Sequence, residues 1–65
     1  MDGNVMKLSE LIRHERKEKK LSTYKLSELA GVKQSTISNI ENEKIDPRWS
    51  TLEKLFKVLE IKIGK

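Results

Sequence analysis

Leu52, Leu55, Phe56 and Leu59 fall at i, i+3, i+4 and i+7, the clearest periodic signal in the chain and the mark of a helix with one apolar face. That face has to be covered, and the chain that must cover it has only 65 residues and no cysteine. A domain of this size buries only about 60% of the surface its unfolded chain exposes, so the core is marginal and help from a partner subunit is expected. Without thiols, a disulfide framework, a thiolate zinc site and thiol chemistry are excluded, which fits a reducing compartment. No apolar run approaches the ~20 residues of a membrane span, and Met1 to Lys7 lacks the apolar centre of a signal peptide. A soluble, cytoplasmic protein without a membrane partner is expected.

Shorter helical patterns precede this helix. Met1 to Met6 has no periodicity and reads as a lead-in, after which Lys7 to Lys20 places Leu8, Leu11 and Ile12 at helical spacing. The second half of that segment, RHERKEKK, carries five cations and two anions and reads as a solvated face with i,i+4 pairs such as Glu15 and Lys19. Ser22 is a good N-cap for a second helix holding Leu26, Leu29 and Ala30 on one face. Lys25 stands where an acid would complete the cap, a mild penalty that a phosphate at the helix start would reverse. Gly31 ends the helix in the left-handed conformation, and a third short helix from Lys33 or Gln34 holds Ile37 and Ile40 inward. After the loop NEKIDPR, either Asp46-Pro47 or Ser50 with Glu53 begins the fourth helix. Leu59 to Ile63 alternates apolar and polar residues and reads as a short strand.

The middle of the chain is unusual for its composition. Residues are 37% charged overall, yet between Leu29 and Ile40 the only formal charge is Lys33. With Ile37 and Ile40 buried, the third helix points Lys33, Gln34, Ser35, Ser38 and Asn39 outward and leaves Thr36 at the boundary. Gln and Asn match the paired donor and acceptor of an adenine edge, Ser and Thr reach any base or phosphate, and Lys33 reaches guanine or phosphate. No acid precedes Glu41, and a net charge of +4 suits a polyanion. The same residues also suit an indifferent polar surface, and composition alone does not choose between the two. His14 has no partner histidine or cysteine for a metal, and no nucleophile arrangement, titratable pair or glycine-rich phosphate loop marks an enzyme or a cofactor site.

The run LSTYKLSELAGVKQSTISNIENEKIDP resembles the helix-turn-helix of the Cro/cI-type repressor family, also called the XRE family. The residues that carry the resemblance are Leu21, Ser22, Leu26, Ser27, Gly31, Ile37, Glu41 and Pro47, and the similarity extends from about Leu8 to Leu59. It implies an all-α, lambda-repressor-like DNA-binding domain of four or five helices over residues 7–59, with residues 60–65 as a tail. This chain departs from the family pattern at Ser27 (usually alanine), at Glu43 (usually glycine, so that Asn42 or Glu43 must accept the tight turn) and at Lys33 (usually a serine cap). The usual fifth helix is missing.

Carried onto this sequence, the resemblance makes the third helix the recognition helix, with Lys33, Gln34, Ser35, Ser38 and Asn39 facing base edges. Thr23, Tyr24, Lys25, Thr36, Lys44 and Arg48 become phosphate contacts, Tyr24 being equally a surface cover for the second helix. Arg16 and Glu41 become a structural ion pair that holds the third helix. KQSTISNIEN together with LEKLFKVLEIKI is similar to DNA-binding antitoxins of the Hip type, which dimerise partly through a C-terminal strand. On that likeness Ile61 and Ile63 would pair across a twofold axis, the alternative being a disordered tail or one packed back on the domain, and Trp49 either fills the core, the reading preferred here, or buries against the second subunit. The function implied is a homodimeric repressor on a pseudo-palindromic double-stranded operator. The alternative is an antitoxin that neutralises a toxin protein and regulates its own operon.

Overall fold

The leucine and phenylalanine stripe at Leu52, Leu55, Phe56 and Leu59 is buried, none of its members more than 9% exposed. The computed structural model describes residues 7–61, and the helix that carries this stripe is the last of four among them. They are α1 (Leu8–Glu18), α2 (Thr23–Ala30), α3 (Gln34–Glu41) and α4 (Trp49–Leu59). The fold is all-helical, without a strand among the described residues, and none of the helices there is long and apolar enough to cross a membrane. Helices α1 and α2 each pack on both α3 and α4, so each apolar face is shared by two neighbours. Ile12, Leu26, Val32, Ile37, Ile40 and the α4 stripe form one core, with Leu8, Leu21, Ala30, Val58 and Ile61 packed at its edge.

The third helix takes the bounds and the orientation that its pattern requires. Ile37 and Ile40 are 0% and 2% exposed, and each such side chain contributes about 1.5–3 kcal/mol by leaving water. Rotating α3 to expose them would forfeit both contributions, far more than a surface ion pair returns. Ser22 caps α2, its hydroxyl accepting the Lys25 N–H at 2.9 Å. Lys33 and Arg48, which precede α3 and α4, supply no side-chain cap.

All four helices end in the same way. Lys20, Gly31, Glu43 and Glu60 have φ of 57, 70, 59 and 60°. In each case the following amide reaches back five residues: Leu21 to Arg16 O at 3.0 Å, Val32 to Ser27 O at 3.3 Å, Lys44 to Asn39 O at 2.8 Å and Ile61 to Phe56 O at 2.9 Å. This closure satisfies the last carbonyls of a helix, and in the usual pattern an apolar residue after the turn packs back. Leu21, Val32 and Ile61 do so here. Only Gly31 adopts the conformation without a Cβ penalty.

Several expectations need correction. Leu29 is 52% exposed rather than inward, because the inward side of α2 runs through Thr23, Leu26, Ser27 and Ala30, and Leu29 lies across Leu26 from the rest of that stripe. Helix α1 stops at Glu18, since Lys20 turns left-handed, and α4 starts at Trp49, with Ser50 inside its first turn and Pro47 outside it. The strand read at Leu59 to Ile63 begins instead as helix: Leu59 is a fully buried core residue of α4, Glu60 is the left-handed cap and Ile61 folds back on the core. Ile63 lies outside the described residues. Trp49 does not fill the core but is 54% exposed, in the first turn where the stripe ends, its ring meeting Phe56 edge-on at 6.3 Å.

The left-handed ends make a stability prediction. Lys20→Gly and Glu60→Gly relieve a penalty of about 1–2 kcal/mol and lose about 0.5–1 kcal/mol to the freer unfolded chain, so each raises stability slightly. Gly31→Ala, with open space around the added methyl but φ of 70°, lowers it by about 1 kcal/mol. Urea titrations followed by helical circular dichroism measure all three.

Candidate nucleic-acid interface

The exposed side of α3 is decided by what α1 does to its far end. On α1, Ser9, Ile12, Arg13 and Arg16 share one stripe at i, i+3, i+4 and i+7. Ile12 enters the core and the other three reach α3 and the turn after it. Arg16 grips Glu41 with two bonds, Nε to Oε2 at 2.7 Å and Nη2 to Oε1 at 3.0 Å, while its Nη1 donates to Leu21 O at 2.8 Å. One guanidinium thus ties α3 to α1 and to the turn that opens α2. The hydrogen bond to Glu41 raises the Arg16 pKa above its ordinary value, against the opposing effect of burial.

Arg13 adds a second grip. Its Nη2 donates to Glu41 O and to Asn42 Oδ1, both at 3.1 Å, and its Nε lies 3.5 Å from Glu41 Oε1. Buried Ser9 donates to Glu43 Oε2 at 3.1 Å, and Lys7 Nζ stands 3.6 Å from the other oxygen of that carboxylate. These bonds hold Glu43 in the left-handed turn where the resemblance led one to expect glycine. Asn42 was expected only as a residue that could take the turn, which Glu43 takes instead, and sequence reading missed Ser9 and Arg13. Their signal was present as the helical spacing of Ser9, Arg13 and Arg16, but it was hidden inside a charge run that reads as a solvated face.

The consequence for the surface is electrostatic. Glu41 is 7% exposed, so the carboxylate that closes α3 is turned inward and neutralised. Lys33, Gln34 and Ser35 are exposed, and Thr36, Ser38 and Asn39 are half-buried. None of these six carries a negative charge. At the start of α3, Gln34 Nε2 donates to Thr23 Oγ1 at 2.9 Å, which brings the first residue of α3 against the first residue of α2. Tyr24, 58% exposed, and Lys25 follow on the same turn of α2. Lys25 also approaches Glu28 at 3.9 Å, an exposed pair worth little. Ser27, the departure from alanine, donates its hydroxyl to Tyr24 O within α2.

Lys44 and Arg48 sit elsewhere. Both are exposed in the segment between α3 and α4, Lys44 bonded through its amide to Asn39 O, and Arg48 just before α4. The candidate positions therefore form one tight group at the α2 and α3 starts, a polar face along α3, and two cations beyond its end.

Two short helices joined through a glycine, the second presenting an uncharged hydrogen-bonding face, agree with what comparison with known proteins finds. A helix-turn-helix family model matches residues 12–65. The chain is also similar to the HTH-type transcriptional regulator PuuR of Escherichia coli (strain K12) and to that of Shigella flexneri, 40% identical to each over 50 residues. The matched stretch is 77% of this chain and 27% of each relative, so the chain spans about a quarter of their length.

The double grip on Glu41 predicts a strong, non-additive effect. Glu41→Ala leaves the Arg16 guanidinium without its carboxylate and costs about 3–5 kcal/mol, whereas Arg16→Ala leaves Glu41 with the longer Arg13 contact at 3.5 Å and costs less. The double variant loses less than the sum of the two, because the second change removes the orphaned charge. Urea midpoints of the three variants supply the cycle.

Proposed function

The chain belongs to the helix-turn-helix family, of the Cro/cI (XRE) type, whose members are DNA-binding transcription regulators, and we propose that it is a repressor acting as a homodimer on a pseudo-palindromic operator. The observation that carries this reading is the face of α3: polar, slim and cleared of carboxylate by the inward turn of Glu41. A surface entering a groove flanked by phosphates needs those properties. The DNA-binding unit is residues 7–59.

In this reading Lys33, Gln34, Ser35, Ser38 and Asn39 meet base edges in the major groove. Thr23, Tyr24, Lys25, Thr36, Lys44 and Arg48 meet phosphates and fix the register. The Gln34 to Thr23 bond gives the division a physical link. Thr23 Oγ1 accepts from the carboxamide, so its own hydrogen can go to a phosphate while Gln34 Oε1 is not used in that bond. The backbone contact and the base contact then support one another. Two such units bind half-sites ~34 Å apart, one turn of the duplex.

The dimer contact is assigned to the α4 face that carries Trp49, together with Ile61 and, outside the described residues, Ile63. Trp49, Phe56 and half-buried Ile61 line one groove there, edged by Glu53, Lys54 and Lys57. An aromatic ring 54% exposed on a marginal domain supports burial against a second copy. The antitoxin alternative gains no support from the relatives matched, which are named as transcriptional regulators. Working on operator DNA places the chain in the cytoplasm.

Selection of bound sites from a random duplex pool tests the reading directly and should return inverted repeats. Gln34→Ala then relaxes preference at one base pair in each half-site. Lys25→Ala weakens all sequences alike and lowers the slope of log affinity against log salt by about 1. Equal losses on every sequence for both variants, or no retarded duplex at low salt, reject the assignment. Trp49→Ala shifts the sedimentation of the free protein toward monomer with little change in helical content; an unchanged sedimentation profile removes Trp49 from the interface.

A further inference from the structure

Hydroxyl groups are ambiguous readers, since each can donate one hydrogen or accept at its lone pairs. A serine on a recognition helix therefore selects a base only if something fixes which of the two it does. In this chain the described serines differ in that respect. Ser9 gives its hydrogen to Glu43 Oε2 and Ser27 gives its hydrogen to Tyr24 O, both inside the protein. Ser38 Oγ instead accepts, from Asn42 Nδ2 at 3.4 Å.

What makes Asn42 the donor is Arg13. A guanidinium has five N–H groups and no acceptor, so the side-chain atom of Asn42 that meets Arg13 Nη2 at 3.1 Å must be Oδ1. With Oδ1 held there, Nδ2 is the atom left to face Ser38. Arg13 is itself located by Glu41, whose backbone oxygen it bonds at 3.1 Å, so the amide cannot turn over without breaking a charge-assisted bond.

Resting on the reading of α3 as the base-contacting helix, we propose that Arg13 and Asn42 are positioning residues that fix the polarity of Ser38. The relay fills a lone pair of the Ser38 hydroxyl and leaves its hydrogen for the groove. Ser38 then donates. It favours a base that offers an acceptor, purine N7, guanine O6 or thymine O4, and discriminates against cytosine, whose groove edge offers only the N4 donor. Specificity at that base pair is set by two residues that need not touch DNA.

The test compares base preferences of the full chain and four variants by site selection from a random duplex pool, followed by titration of single-base-pair variants of the selected site. In the unaltered protein cytosine is disfavoured at the Ser38 position by about three- to tenfold, the worth of one net hydrogen bond. Ser38→Ala abolishes that preference. Asn42→Asp places two acceptors between Arg13 and Ser38, so the serine hydrogen turns inward, and cytosine becomes tolerated at the same base pair and nowhere else. The added carboxylate weakens all sequences together, which a ratio between bases removes. Arg13→Met frees the Asn42 amide to rotate and reduces the discrimination.

Unchanged base ratios in Asn42→Asp or in Arg13→Met overturn the relay, as do unchanged ratios in Ser38→Ala. Gln34→Ala serves as the control for the parent reading: if it still relaxes its own position, only the relay has failed, whereas no selected sequence from the unaltered chain means that the reading of α3 has failed and the relay with it. Helical circular dichroism establishes that each variant is folded. Should Arg13→Met not fold, Asn42→Asp decides alone, because Asn42 is exposed and its replacement is isosteric.

Discussion

The ion pair between Arg16 and Glu41 is the interaction on which the arrangement depends. A buried pair is seldom worth much compared with apolar residues of the same volume, but here its worth is geometric. Among the described residues, Arg16 is the one side chain that bonds both the end of α3 and the turn into α2, through Glu41 and Leu21 O. It fixes the angle of α3, which is only eight residues long and has no side-chain cap at its start. It also removes the closing carboxylate from the surface. Position and surface potential are thus decided by one contact, with Arg13 and Ser9 extending it to the turn at Asn42 and Glu43.

Legibility of the sequence followed the physics of each element. Helix α3 was readable because Ile37 and Ile40 leave no other inward face, and α4 because its stripe is four residues strong. Gly31 and Ser22 were readable because glycine and a capping serine have few other reasons to sit where they do. Leu29 misled because an eight-residue helix holds too few apolar residues to define a stripe, so one leucine can fall on either flank. The left-handed ends at Lys20 and Glu60 carry no sequence mark, since lysine and glutamate take that conformation only when packing and backbone bonds demand it, and the one at Glu43 was marked by the resemblance alone, through the glycine usual there. The same cause undid the strand reading: alternation after Leu59 is also what a helix leaves when a left-handed cap folds the next apolar residue back on the core.

The polar stripe of α1 shows a different limit. Charged residues at helical spacing look solvated in a sequence, and Glu15 with Lys19 at 3.8 Å is such a pair. Arg13 and Arg16 lie in the same run and are not solvated partners of their neighbours; the Glu41 and Asn42 groups they bond are 25 to 29 residues away. Nothing local separates the two kinds. The resemblance singled out Arg16, and Arg13 emerged only with the distances.

The exposed indole at the start of α4 has a spectroscopic consequence. Trp49 is the chain's single tryptophan, and with more than half of its surface in solvent in the isolated subunit its emission is expected to be that of a largely hydrated ring until a second copy covers it. Fluorescence of this protein reports on what approaches α4 rather than on the state of the interior, so loss of the core and loss of a neighbour give separable optical signatures.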